Sequence, residues 1–237
     1  MMTNRPLGPE VPNWTPAKDP LGVVLRGRFA DLRPLNATED APGLWVQMQD
    51  APWLWDYLYE PSPAGFAEFQ TILTGLDSSR DHPCLVIRST QDDAPLGYVC
   101  FWTNAPATGS TEIGNVNLSP ALQHTPIATE AFYLMTDWAF ANGYRRMEWK
   151  CNALNAPSRR AAQRLGFSFE GIFRNHLVVK GRNRDTAWFA ITNGDWAKLK
   201  PAYDAWLARE NFDEAGQQRT RLSTLTAPHL HMSDPAL

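Results

Sequence analysis

An α/β domain is the fold class that the sequence predicts, on three observations. Short apolar runs of strand character alternate along the chain with stretches of helical period. One stretch, residues 146–151, alternates strictly, with Met147, Trp149 and Cys151 on one face and Arg146, Glu148 and Lys150 on the other. Two helical stretches start on a cap residue with a proline close behind, at Thr125-Pro126 and at Asn155-Ala156-Pro157, and each follows a strand.

Along the chain, residues 1–20 carry five prolines and read as an extended strap or a disordered tail. Residues 21–207 read as one domain. Strands are expected at 23–25 and 29–32, short helices broken by Pro52, Pro61 and Pro63 over 37–76, and two strands at 84–88 and 96–103 around a turn at 91–95. A strand over 112–118 is interrupted by Gly114, Asn115 and Asn117, which marks a bulge. A helix over 126–142 places Ala128, Ala131, Phe132, Met135 and Ala139 on one stripe, with Thr125 as cap and Gly143 at the exit. After the strand at 146–151, a helix capped by Asn155 runs to Gly166. Strands at 167–173 and 184–191 enclose a loop containing residues 180–183, and a last helix covers 196–207. Residues 208–237 are polar without a period and read as a structureless tail.

The composition narrows the function. A hydrophobic fraction of 43% in 237 residues supports a substantial core, and a net charge of −3 gives no general attraction for nucleic acid. No apolar run approaches the roughly 18 residues of a membrane span, and the start of the chain lacks the pattern of a secretion signal. Three cysteines, each among apolar neighbours, suit buried thiols in a reducing cytoplasm. No Cys or His spacing resembles a metal site, and His229 with His231 supplies only two ligands. Two helix starts beside each other offer unpaired amides and positive dipole ends, a setting for a diphosphate. Arg145, Arg146, Arg159, Arg160 and Arg164 crowd the same region and Lys180, Arg182 and Arg184 follow, either as a solvated face paired with Glu148 and Glu170 or as a site for a small anionic ligand.

The run Gln123-His124-Thr125-Pro126-Ile127-Ala128-Thr129 resembles the pyrophosphate loop of the GCN5-related N-acetyltransferases, and Asn155-Ala156-Pro157-Ser158, Arg164-Leu165-Gly166-Phe167 and Glu170-Gly171 follow in order. The chain is similar to the branch containing the ribosomal-protein N-terminal acetyltransferases, over residues 22–196. The resemblance implies a mixed, mostly antiparallel sheet of about seven strands flanked by helices. Its fourth and fifth strands, here 112–118 and 146–151, would splay to admit acetyl-CoA. Main-chain groups of Val116, Asn117 and Leu118 would bond the pantetheine arm and the amides of residues 123–129 the diphosphate, with Pro126 lacking one N–H where the family has glycine. Asn155 and Arg159 would join the cofactor set, and Ser158, on the stripe of Ala161, Ala162 and Leu165, would lie near the sulfur.

The acceptor would be a primary amine that attacks the thioester directly, on a protein or peptide N-terminus or on a small molecule such as a metabolite or an antibiotic. A module that binds coenzyme A without turnover is the reading from another class. His176 and Glu112 are the candidate bases. Trp53, Trp55 and Tyr57, in the aromatic block of the early helices, are the candidate acceptor contacts. The Arg182-Asn183-Arg184-Asp185 run reads as a charge pair closing a hairpin. The length of the two tails leaves room for pairing into a homodimer.

Overall fold

The structure, a computed structural model, describes residues 5–237. Eight strands form one sheet in the order β1-β2-β3-β4-β5-β6-β8-β7: β1 Leu25–Arg26, β2 Ala30–Pro34, β3 Cys84–Ser89, β4 Pro95–Phe101, β5 Ser110–Leu118, β6 Arg146–Asn152, β7 Ser168–Val179 and β8 Arg182–Thr192. All neighbours are antiparallel except β5 and β6. That parallel pair needs a crossover, which α3 (Pro126–Ala141) supplies. The other helices are α1 Ala37–Met48, α2 Phe66–Asp77, α4 Ala156–Arg164, α5 Asn193–Leu207 and α6 Leu222–Thr226.

Alternation along the strands divides the apolar side chains between two cores. Leu85, Ile87, Val99 and Phe101 face α3, α4 and α5 together with Phe132, Met135, Trp149 and Leu199. Val86, Tyr98 and Cys100 face the opposite way, onto α1 and α2, with Leu44, Met48, Phe69 and Leu73. The cap residues act as their types predict. Thr125 Oγ1 accepts from the Ala128 amide, and Asn155 Oδ1 accepts from the Ser158 amide.

The eight strands bear out the expected mixed, mostly antiparallel sheet, with even the two residues of β1 paired to Leu32 and Asp31. Three expectations need correction. The loop expected at 180–183 is a two-residue turn: Arg182 and Asn183 are already paired in β8, and Lys180 and Gly181 both take positive φ, +50° and +72°, as a turn matched to strand twist requires. No charge pair closes that hairpin, since Asp185 accepts the Asn175 amide and the Asn183 side chain while Arg184 points elsewhere.

The third concerns the C-terminal segment, which is built in. Leu222 of α6 is fully buried, Thr226 Oγ1 donates to the Leu165-preceding carbonyl of Arg164, and the Phe169 amide donates to Met232 O. Asp234 makes a buried ion pair with Arg159 at 2.5 Å. These contacts are far apart in sequence, so no local period announces them. The proline-rich strap is also docked, with the amides of Ala17 and Lys18 bonded to Pro106 O and Asn142 O. Residues 14–18 of the N-terminal segment and Leu222, Thr226, Met232 and Asp234 of the C-terminal one are thus engaged with the domain itself.

Candidate active site

Strands β5 and β6 pair only at Ser110–Arg146, Thr111–Met147 and Glu112–Glu148. Past that point each keeps its outer partner, β5 with β4 as far as Leu118 and β6 with β8 as far as Asn152. The gap is therefore a parting inside an intact sheet, not frayed ends. A bulge helps to open it. Gly114 lies opposite Cys100 and Asn117 opposite Tyr98, so β5 carries one residue more than β4 there, and Asn115 takes φ +46°. Gly114 is needed for close approach, because a Cβ there would lie 2.4 Å from Trp102 Cβ.

A cavity of about 360 Å³ fills the gap, with Val116 and Asn115 on one wall, Trp149 and Cys151 on the other, and Asn155 and Ser158 of α4 behind. Both polar atoms of the Asn115 side chain are buried with no partner among the described residues. Ser158 Oγ accepts from Trp149 Nε1 at 3.0 Å, which leaves its own hydrogen free to donate. At the start of α3, the amides of His124 and Ile127 have no acceptor among the described residues. At the start of α4 every amide is used: Ala156 donates to Leu154 O, Ser158 to Asn155 Oδ1 and Arg159 to Asn155 O. An orphaned amide side chain, an unzipped strand edge and two open helix amides suit an extended amide-bearing arm that ends in phosphates.

A second chamber of about 210 Å³ adjoins the first, and the two share Tyr59, Trp102, Glu112, Lys150 and Arg184. Glu112 stands at the vertex where the strands part. It is 3% exposed and accepts hydrogen bonds from Thr103 Oγ1 at 2.6 Å and Lys150 Nζ at 2.8 Å. Burial raises its carboxyl above the ordinary glutamate value, opposed by Lys150 and Thr103. Lys150 also reaches Glu148 at 3.2 Å and lies over the Trp188 ring. A bulge around Asn175 sets His176 against Thr186, Nδ1 to Oγ1 at 2.9 Å, on the wall of the second chamber.

Segment 52–60 closes the outer side. The hairpin-tip Lys180 Nζ donates to the carbonyl oxygens of Trp55, Asp56 and Glu60, and Tyr59 stacks on Trp102. Those bonds explain a lysine at a turn position that usually favours Asn or Gly.

The predicted site residues divide accordingly. Glu112, Val116, Gln123, Asn155, Ser158, Trp53 and Tyr57 line the first cavity, and His176 lines the second. Two assignments are corrected. Trp55 is 2% exposed and packs edge-on against Phe69 in the core under α2, so it is no acceptor contact. Arg159 is spent inside the protein, on Asp234 and on Ala153 O at 2.8 Å, so it is no cofactor ligand. Asn117 donates its side-chain N–H to Tyr98 on the opposite face, and its Oδ1 is buried without a partner among the described residues. Within the predicted phosphate loop, Gln123 alone reaches the cavity wall. Tyr59, in the aromatic block, and Arg184, in the basic run, line both chambers, while sequence reasoning missed Trp102 and Lys150. For Lys150 a signal existed in the strict alternation of 146–151, which places it on the face opposite Trp149.

Comparisons with known proteins agree with this architecture. The acetyltransferase (GNAT) domain family matches residues 31–168. No curated protein matches the chain. A GCN5-related N-acetyltransferase from Brucella melitensis is 43% identical, with a TM-score of 0.88 over 92% of this chain and 100% of that one. A probable GNAT-family acetyltransferase from Chromobacterium violaceum is 36% identical, with a TM-score of 0.78 over 83% and 100%. The Salmonella typhimurium acetyltransferase that modifies the N-terminal serine of ribosomal protein L7/L12 shares the fold at 20% identity, with a TM-score of 0.61 over 72% and 99%. With more than half of its length matched by the domain family and a relative at 43% identity over nearly all of it, this chain belongs to the GNAT acetyltransferases and is an acyltransferase.

Proposed function

We propose that the protein transfers acetyl from acetyl-CoA to a primary amine, on a compact small molecule or a peptide N-terminus, by direct attack. One observation carries the reading: the parted strands open two joined chambers with a buried, partly desolvated carboxylate, Glu112, at the junction. Acetyl-CoA, when bound, supplies an activated thioester carbonyl. The β5 main chain past Glu112 and the side chains of Asn115 and Asn155 would hold its arm, and the open amides of His124 and Ile127 its phosphates.

Glu112 takes a proton from the attacking amine, and the Ser158 hydroxyl donates to the departing sulfur. No enzyme nucleophile is needed. Cys151, which faces the cavity, is a poor one, because burial pushes its thiol up to about 11. His176 remains the second candidate base, on the wall of the smaller chamber.

The wall charges of the first cavity are balanced, Asp56 and Glu112 against Lys150 and Arg184, which favours a compact amine or peptide end over a polycation. The ordered motifs that resemble the ribosomal-protein branch support a peptide N-terminus among these. Buried, unpaired cysteines support a reducing cytoplasmic setting, and among the described residues no helix is long and apolar enough to cross a membrane.

Calorimetry with acetyl-CoA and a thiol-release assay over primary amines test the proposal. Glu112→Gln is expected to lower kcat/KM by roughly 10²–10⁴ while leaving acetyl-CoA affinity in place. A base works only when deprotonated. With the Glu112 carboxyl raised, wild-type kcat/KM is expected to fall as pH drops through a value above the ordinary glutamate range, and Glu112→Gln to lose that limb. Tight acetyl-CoA binding with no thiol released by any amine would leave a binding module in place of an enzyme.

A further inference from the structure

Arg184 is the one cation of the joined chambers without a counter-charge. It is 6% exposed, it lines both chambers, its Nε has no partner, and no ion pair reaches it among the described residues. Its guanidinium lies over the Tyr59 ring at 5.0 Å, which orients the group without neutralising it. The contrast with Lys150 is direct, since that ammonium has carboxylates at 2.8 and 3.2 Å. Arg159, equally buried, has Asp234. A guanidinium taken out of water is costly unless paired, and its planar fork of donors suits a carboxylate or phosphate.

The neighbours of Arg184 do not relieve that cost. Asp185 is turned to Asn175, and Asp56, the other carboxylate of the first cavity, makes no ion pair with it among the described residues. Thr186 and Trp188, which alternate with Arg184 along β8, line the same chamber, and so does Glu112. The smaller chamber therefore holds both a proton-accepting and an anion-accepting group.

Resting on the acetyl-transfer reading, we infer that the acceptor is a small amphoteric amine: its amino group faces Glu112, and an acidic group on the same molecule pairs with Arg184. Amino acids and aminoalkyl phosphates share this chemistry. A peptide N-terminus without a nearby acid does not.

The test has a catalytic and a binding arm. In the first, thiol release is measured for a panel of amino acids against their amides, and for 2-aminoethyl phosphate against ethanolamine, with wild type and Arg184→Gln. The ratio of kcat/KM between acid and neutral partner, taken in both proteins, cancels differences in amine basicity. That ratio is expected to fall roughly 10- to 100-fold in Arg184→Gln, the scale of a hydrogen bond to a charged group. Arg184→Lys, which keeps the charge but not the fork, recovers part of it. The carboxylate and phosphate pairs show which acid the chamber takes.

In the second arm, calorimetry measures N-acetyl amino acids and their amides binding to the coenzyme A complex. Acids binding more tightly than amides in wild type, with the difference lost in Arg184→Gln, uphold the inference even if no amine turns over, in which case only the acetyl-transfer reading fails. Equal wild-type binding of acid and amide, or efficient turnover of neutral amines with no gain from an acid, overturns the inference and leaves acetyl transfer standing. The wild-type comparison decides the matter if Arg184→Gln does not fold.

Discussion

The starts of α3 and α4 look alike in sequence, each with a cap residue and a proline in the first turn, yet the structure uses them in opposite ways. At α3 the proline occupies the first helical position and two amides, His124 and Ile127, stay open. At α4 the Asn155 side chain and carbonyl, with Leu154 O, consume every amide of the first turn. A helix start binds anions through free N–H groups, so α3 is equipped for phosphates while α4 acts through its side chains, Asn155 and Ser158. The pairing of two anion-binding helix ends suggested by the sequence thus resolves into one helix start with open amides and one that serves as a scaffold.

The scaffold role is tested most severely at the ion pair that pins α4. Asp234→Ala strands Arg159 as a buried charge and is expected to cost about 3–5 kcal/mol of stability in urea unfolding. A loss within experimental error would mean that α4 is held by packing alone. The anion-site role is tested next with a shortened ligand. S-acetylpantetheine lacks the diphosphate, and losing charged bonds to two amides should weaken calorimetric binding by about 3 kcal/mol, roughly 150-fold, relative to acetyl-CoA.

Asn155→Ala should remove about 1 kcal/mol from the unfolding free energy by opening the α4 cap. If α4 instead gained phosphate affinity, now that its Ser158 amide is free, the same variant would widen the affinity gap between acetyl-CoA and S-acetylpantetheine, which share the arm, and the contrast between the helices would reduce to the cap. The smallest effect is expected at Pro126→Ala, which adds one donor to α3. Acetyl-CoA should bind about 1 kcal/mol more tightly and S-acetylpantetheine no differently. Equal gains for both ligands would place the effect outside the phosphates.

What could be read in the sequence is what local chemistry dictates. The bulge at Gly114 and Asn115, both helix caps, the Gly143 exit and the inward stripe carrying Ser158 all follow from dihedral preference or periodicity, and the structure contains each. The second chamber could not be read, because Tyr59, Trp102, Lys150, His176 and Arg184 come from five separate segments and meet only through the twist of the sheet. Trp53 and Trp55 show the limit within one segment. The turn holding them is a 3-10 helix, in which residues two apart diverge by about 240°, so one tryptophan faces the cavity and the other enters the core. Composition supplies both rings and does not say which is which. The C-terminal segment was illegible for a related reason: α6 is too short to display a period, and Asp234 finds its partner 75 residues away.

Lys180 fastens segment 52–60 to the β-hairpin through main-chain oxygens only. A fastening of this kind is blind to the side chains it carries. The residues of this segment that line the cavity, Trp53, Tyr57 and Tyr59, can be exchanged for others while the latch stays shut. The preference for one amine over another can then drift, or be redesigned, at those positions without rebuilding the apparatus that handles the thioester.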